Sequence, residues 1–350
     1  MEPSEPASVQ AVEATAPGLD PEALALLFCR KTYFYSISII SMVVAILSPT
    51  VLEDGRKIHE VESLESKLEN NGDEYITLDT VDLEHSISFS NKDSLRINGE
   101  KYTYDNFTGV FFFPPLVFRP FNYRHSNDLK QSPFKFLNRV RELRGAFDSF
   151  INILQSNSAK TVCPRSYIYN QEWKLWQMYE LERESIPVPD TLVTTEPKEV
   201  VRFGNKHDTI VIKPTTYGST PKVIRGQELT EEKFESVKNA PVQLQEYVSG
   251  PDVRAYVVDG EFVGAFKYVS DEDIFENSDE RTAERVSYSG NEKEIEKAVD
   301  MFDIGYGAVD IRYDGGRKPK VVEVNASGRF ALAEQDTDID VASSIAEYLS

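Results

Sequence analysis

Three side chains near the carboxy-terminal end of this 350-residue chain are the most open to a chemical reading: Asp310, Glu323 and Asn325. Side chains alternate across a strand, so Glu323 and Asn325 share one face of a strand written Lys320–Asn325. Asp314-Gly315-Gly316 predicts a hairpin between this strand and an earlier one at 307–312. With the turn centred between Gly316 and Arg317, Asp310 falls opposite Glu323, and two carboxylates gather with an amide oxygen on one patch. Like charges paired across strands repel. A hard cation removes the repulsion, because magnesium takes oxygen ligands and holds nucleotide phosphates beside them. The plainer reading is three solvated polar groups in an acidic chain, which serves for any one of them better than for the set.

Two further stretches supply what a bound nucleotide needs. Ile210-Val211-Ile212-Lys213-Pro214 reads as a buried strand delivering a lysine, followed by the hydroxyl-rich loop Thr215-Thr216-Tyr217-Gly218-Ser219-Thr220. The ammonium is a point charge for a phosphate, and the loop's backbone amides can cover the rest. With one glycine the loop is not a P-loop, and a strand ending in Lys-Pro is usually just an edge meeting solvent. Then Leu244-Gln245-Glu246-Tyr247-Val248 precedes Gly250-Pro251-Asp252-Val253-Arg254. A strand crossing an apolar slot would offer Glu246 to an adenine edge, Asp252 to a ribose hydroxyl and Arg254 to phosphates. The competing reading is an amphipathic strand, a tight turn and a surface ion pair worth little.

The pattern around these residues predicts the scaffold that carries them. Strands are expected at 43–47, 75–78 and 109–113, the last closed by Pro114-Pro115. A polar helix fits 57–69, with Ile58, Val61, Leu64 and Leu68 at helical spacing and Asn71-Gly72 at its end. Such a strand–helix–strand opening indicates a small doubly wound α/β domain. It lacks GxGxxG, so nothing points to a dinucleotide. Residues 134–154 are helical in pattern, with Phe136, Leu137, Val140, Leu143, Phe147 and Ile151 on one face, and are expected to bridge to a second domain. Past Tyr167 comes a helix at 173–183, stopped by Pro187 and Pro189. Strands follow at 210–213, 242–248, 254–258 and 262–267, with Asp259-Gly260 a hairpin signal between the last two. A helix at 292–301, the paired strands 307–312 and 320–324, and a helix at 340–349 complete the chain.

Composition narrows the function classes. Forty per cent apolar and 27% charged is ordinary for a globular protein, but a formal charge of -20 is not. Such a surface repels nucleic-acid backbones and anionic headgroups, and suits a neutral or cationic partner or a high-salt cytoplasm, two readings that composition does not separate. Cys29 and Cys163 form no metal or CxxC spacing, which argues for a reducing, cytoplasmic compartment and against a disulfide framework. His59, His85, His125 and His207 are scattered, so a zinc site is not expected. The segment 1–41 reads as disordered or as an upstream extension. The uncharged run 32–48, which starts within that segment, has two readings: a signal peptide or membrane anchor, short for a span and interrupted by serines, or a first strand at 43–47 preceded by Met42 as the true start. The strand–helix–strand continuation favours the second. Intact-mass measurement of the native protein separates the two.

Lys213 in VIKP, then QEYV, PDVR, GAVDIR and VVEVNASG, in this order, resemble the ATP-grasp superfamily over roughly 170–350. The EVN element with its upstream aspartate is the most specific part. NQEWK, IPVPDTLVTTEP and NASGRFALAEQDTDIDVA resemble two branches of it: ligases that cross-link ribosomally made peptides through ω-ester and ω-amide bonds, and the ribosomal-protein glutamate ligase and glutathione-synthetase-like group. The resemblance implies a fold of mixed α/β and α+β class, a small doubly wound α/β domain at 42–130, a bridging helix and linker at 131–169, and a two-lobed ATP-grasp domain at 170–350. It implies magnesium ligands at Asp310, Glu323 and Asn325, with manganese as a substitute. Lys213 and Lys174 would face ATP phosphates, Glu246 and Tyr247 would border adenine, and Asp252 would meet the ribose. Arg254 matches the family's DxR step, while Arg281 and Arg285 are the arginines available in the divergent stretch 269–287. The phosphate loop has fewer glycines than the family's pattern.

The function so implied is an ATP- and magnesium-dependent carboxylate–amine ligase, or carboxylate–hydroxyl ligase, working through an acyl phosphate. Its substrate would be a peptide or amino acid, and related folds often self-associate into homo-oligomers. Arg254 or Arg281 would steady the tetrahedral oxyanion. A phosphotransferase on the same scaffold would need no amine, and a non-catalytic nucleotide binder would release no phosphate.

Overall fold

The strand Val43–Ser48 (β1) is buried along its whole length, a burial that a parallel sheet covered on both faces provides. The computed structural model describes residues 42–51, 56–80, 86–92, 94–113, 126–164, 173–216, 221–269, 281–287, 291–313 and 319–350. Outside them lie Cys29, His85, His125, the 217–220 part of the hydroxyl-rich loop and the Asp314-Gly315-Gly316 turn. The helix His59–Asn71 (α1) follows β1 and ends at Gly72, whose left-handed φ of 81° lets its amide reach Glu69 and Leu68. Then come Glu74–Asp79 (β2), three short strands Ile87–Ser88, Leu95–Ile97 and Glu100–Tyr102 (β3 to β5) forming a separate small sheet, and Phe107–Phe112 (β6). Ser126–Gln131 (α2), Pro133–Ser156 (α3) and Lys160–Val162 (β7) complete this part. β2, β1, β6 and β7 form one parallel sheet in that order.

The sheet is doubly wound, as expected, but α3 is not a bridge. Its Phe147, Phe150, Ile151 and Leu154 pack on Val43, Ala45, Leu47, Val110 and Phe112 of the first sheet. The 3.6-residue period of α3 matches an apolar sheet face, and β7 then returns to that sheet's edge, so the chain stays with the first sheet through Val162. The opposite face, through Val44, Ile46, Phe111 and Phe113, meets α1.

The second half begins with Lys174–Arg183 (α4), Thr191–Thr194 (β8), Pro197–His207 (α5), Thr209–Pro214 (β9), Lys222–Arg225 (β10) and Val242–Glu246 (β11). β10, β9, β11 and β8 make an antiparallel sheet, and Ile210, Ile212 and Leu244 pack with Val200 and Phe203 of α5 as a small lobe. Asp252–Val258 (β12), Glu261–Val269 (β13), Thr282–Arg285 (β14), Glu292–Asp300 (α6), Tyr306–Arg312 (β15) and Lys320–Asn325 (β16) build the larger lobe, with sheet order β14-β13-β12-β15-β16. Asp259 and Gly260 form the expected two-residue turn with φ of 51° and 76°, the double left-handed geometry that matches strand twist. Ala331–Asp336 (α7) and Val341–Leu349 (α8) close the chain.

α8 explains why Ser41–Ser350 forms one unit. Its Ile345, Ala346 and Leu349 sit in a single core with Val44 and Phe111 of the first sheet and with Tyr256, Phe266 and Tyr306 of the larger lobe. The approach is close enough that a Cβ at Gly109 on β6 would stand 2.5 Å from the Leu349 carbonyl oxygen. A second tie is polar. Glu60 on α1 is fully buried and accepts from Arg329 Nε and Nη2, both at 3.1 Å, and from the amides of Phe330 and Ala331 at 3.2 and 3.1 Å. Among the described residues no helix is long and apolar enough to cross a membrane. Replacing Glu60 with alanine strands the buried Phe330 amide and the part-buried Ala331 amide and frees the half-exposed Arg329; urea denaturation is expected to show a loss of about 3 kcal/mol.

Candidate functional site

The pairing of β15 with β16 places Asp310 directly opposite Glu323 and Ala308 opposite Asn325, the register that a turn centred between Gly316 and Arg317 requires. Beyond Asp310 the register slips by one residue, so that Ile311 faces Val321. A bulge at this point twists the strand locally and re-aims the side chain beside it. β16 is the sheet's outer strand on this side. Its free edge is met by Gln177 of α4, whose side chain donates to the Val324 carbonyl at 2.8 Å and accepts from the Val324 amide at 2.9 Å. The same helix thereby brings Lys174 to 3.2 Å from Glu323.

Each charged group here has an opposite beside it. Arg254 on β12 sits across from Asp310 and binds it with two parallel hydrogen bonds of 2.7 and 2.9 Å. Asn325 Nδ2 donates to the same carboxylate at 3.2 Å. Lys213 at the end of β9 is 7% exposed and donates to Gln245 Oε1 at 3.1 Å. Glu246 takes two hydrogen bonds from Lys320, at 2.8 and 2.7 Å, and one from the Asp190 amide at 3.1 Å. Asp252 is held by Arg312 at both oxygens. The turn leading to Asp252 needs Gly250, which has φ of 109° and would clash with the Tyr313 carbonyl if it carried a Cβ.

Burial sets the proton affinities and the partners adjust them. Burial raises the Asp310 carboxyl, and Arg254 only partly pulls it back. Burial acts on Glu323 in the same sense, but Lys174 and Lys213 outweigh it and hold the carboxyl below its usual range. Lys213 is pushed down to about 8, chiefly by burial, with Glu323 opposing and Lys174 adding to the shift. Burial lowers Arg254, yet Asp310 more than compensates.

Lys174, Lys213, Glu246, Asp252, Arg254, Arg281, Asp310 and Glu323 line one cleft of about 200 Å³ between the two antiparallel sheets. Asn325 joins them through Asp310. Tyr247 does not line the cleft; its ring lies 5.5 Å from the Arg312 guanidinium. Of the two arginines in the divergent stretch, Arg281 reaches the cleft above the Tyr268 ring at 5.6 Å. Arg285 instead pairs with Asp338, because it stands at the start of the β13–β14 pairing and turns towards the loop before α8. Two residues of the site escaped the sequence reading. Arg312 lies two positions after Asp310 on the same strand, so alternation would have found it. Lys320 gave no such signal, because its partner Glu246 is 74 residues away.

The donor set fits a hard divalent cation. Two opposed carboxylates, one kept ionised by two lysines, stand beside an amide whose oxygen is presented by a half-turn of the Asn325 side chain. Among the described residues no group of three or more His, Cys, Asp or Glu side chains forms a metal site, so any cation here relies on two carboxylates and the amide.

Residues 171–349 match the family model described as the RimK-like ATP-grasp domain. The chain is 26% identical over 195 residues to a probable alpha-L-glutamate ligase of Rhodopirellula baltica, covering 52% of this chain and 48% of that protein. It is 28% identical over 188 residues to a ribosomal protein bS6–L-glutamate ligase of Escherichia coli, covering 50% and 62%. The chain thus spans about half to three-fifths of the length of these curated relatives. Among solved structures, the ATP-grasp ligase PsnB complexed with a phosphomimetic variant of a minimal precursor, Mg and ADP superimposes with a TM-score of 0.73 at 21% identity, over 88% of this chain and 97% of that one. The macrocyclase MdnC bound with precursor peptide MdnA, from Microcystis aeruginosa, gives 0.72 at 17% identity, over 88% and 99%. At such identities the likeness shows the fold, here extending through the first α/β part as well. With more than half of its length matched by the family model, this chain belongs to the RimK-like ATP-grasp family.

Proposed function

We propose that this protein is an ATP- and magnesium-dependent ligase that joins a carboxylate to an amine, or to a hydroxyl, through an acyl phosphate. The observation that carries the proposal is the opposed pair Asp310 and Glu323, which shares one cleft with Lys213, Lys174 and Arg254, with Asn325 hydrogen-bonded to Asp310. Two carboxylates kept together by three cations, in this family's fold, suit a phosphoryl-transfer site. Magnesium held by Asp310, Glu323 and Asn325 would offset charge on the phosphoryl oxygens.

The chain's own groups account for the remaining steps. Lys213 and Lys174 place positive charge beside the phosphates, while Glu246, at the hinge end of β11, borders the adenine and Asp252 the ribose. The substrate carboxylate oxygen attacks the terminal phosphorus and ADP leaves. An amine nitrogen then attacks the acyl carbon, phosphate leaves, and the nitrogen loses a proton. Were Asp310 to hold a cation, Arg254 would have its guanidinium available to steady the tetrahedral oxyanion, and Arg281 is the second candidate. The substrate is a peptide or amino acid. The relatives' named substrates, a ribosomal protein and precursor peptides, support that class. The charge of -20 favours a neutral or basic acceptor. Cys163 is buried and joins no disulfide among the described residues, which suits a cytoplasmic, reducing location.

The test is phosphate release with ATP and magnesium against pools of amino acids and short peptides. Release that needs both a carboxylate and an amine supports the ligase; release with one substrate alone indicates a phosphotransferase. Asp310→Ala, Glu323→Ala and Asn325→Ala are each expected to remain folded by circular dichroism with turnover reduced by about 100-fold or more. Wild-type rates in any of them would remove that residue from the site. Lys213 generates a pH signature. Its folded value of about 8 lies below the ordinary 10.5, so the unfolded chain binds the extra proton between these limits and stability rises with pH across that window. Nearby phosphates favour the charged form, so nucleotide binding near pH 8 is expected to take up a proton. Calorimetry in buffers of different ionisation enthalpy should show this uptake, and Lys213→Met should abolish it.

A further inference from the structure

Gln243 on β11 is 1% exposed, and neither its amide oxygen nor its amide nitrogen makes a hydrogen bond. Buried amides are nearly always paired, because each unmade bond costs the desolvation of the group. The strand register shows where this one stands. Gln243 is directly opposite Lys213 on β9 and Val193 on β8, while Gln245 is opposite Val211. Opposed residues of an antiparallel sheet share a face, and Lys213, Gln245 and Val211 line the cleft. Gln243 therefore belongs to the cleft-side face of the small lobe. The alternate residues Leu244 and Ile212 fill the core against α5 on the other side.

We propose that Gln243 is a nucleotide-binding residue whose amide serves the phosphate chain beside Lys213. This deepens the proposed function and rests on its nucleotide site. Position along β11 selects the phosphates over the base. Glu246 marks the hinge end of the strand, and three residues of extended chain carry Gln243 about 10 Å from it. That brings Gln243 level with Lys213, where β9 runs on into Pro214 and the hydroxyl-rich loop. The amide nitrogen donates to a phosphoryl oxygen. The amide oxygen accepts from the Lys213 ammonium, which has three protons and places one on Gln245. Bound nucleotide thereby supplies the acceptor for the amide nitrogen, and Lys213 the donor for the amide oxygen.

Gln243→Met keeps the length of the side chain and removes both polar atoms. In the ligand-free full-length protein it is expected to raise the thermal midpoint, since an unsatisfied amide gives way to an apolar group. Affinity for magnesium-ADP, measured by calorimetry, is expected to fall about tenfold. The competition constant of adenosine, which lacks phosphates, is expected to stay unchanged. Unaltered ADP affinity, an equal loss for adenosine, or a lowered thermal midpoint would each overturn the assignment. The ligase reading fails separately: a wild type that binds ADP, yet releases no phosphate with any carboxylate and amine, loses that reading and keeps Gln243. A wild type that does not bind ADP loses both.

Discussion

Two carboxylates on neighbouring strands, Asp310 against Glu323, are the constraint that organises the carboxy-terminal half. Brought together in a poorly solvated cleft, they repel, and the surrounding cations come from three separate elements to offset this. Lys174 arrives on a helix, Lys213 at the end of a small-lobe strand, and Arg254 on the neighbouring strand of the same sheet. None of the three is close to the carboxylates in sequence. The fold must be complete before the charges balance, and the same arrangement that balances them surrounds the cleft proposed above for a triphosphate and a divalent cation.

Among the described residues, the first α/β part contributes to this through packing. α8, the last element of the chain, lies in one core with the first sheet and the larger lobe. Glu60 holds the segment that follows Asn325 by its backbone amides and by Arg329. Tyr256 and Tyr306 hold the same segment from the larger lobe, donating to the carbonyls of Arg329 and Gly328. The strand bearing the amide ligand candidate thus ends in a loop clamped from two sides.

Much of this was legible in the residues. The pairing of Asp310 with Glu323 could be read from one Gly-rich turn and the two-residue alternation of strands, whereas the one-residue slip that sets Ile311 opposite Val321 could not. Asp259-Gly260 likewise announced its turn. The three-stranded sheet of β3 to β5 went unread although Asn98-Gly99 forms its last turn with φ of 51° and 92°. Its strands are two or three residues long, too short to show a period. α5 was not anticipated; it begins at Pro197, and at the first turn of a helix proline leaves no hydrogen bond unmade. The role of α3 was misread for another reason: an amphipathic face says that a helix will bury one side, and not which sheet it will bury it against. The pairings Glu246–Lys320 and Asp252–Arg312 lay beyond any local pattern, since each joins residues at least 60 apart.

The side chain of Gln177 completes the outer edge of β16 with one donor and one acceptor on a single residue, Val324. A primary amide reads one peptide group as a neighbouring strand would, and only at one position. Sliding β16 by a single residue would turn Glu323 and Asn325 to the opposite face. The sheet's other bonds could largely re-form after such a slip, whereas the Gln177 contact would be lost with it. An outermost strand is ordinarily the one freest to fray or to recruit another chain. Here it is indexed from outside by a helix that also carries Lys174, so the alignment of the acidic face and the placement of the cation that answers it are one and the same adjustment.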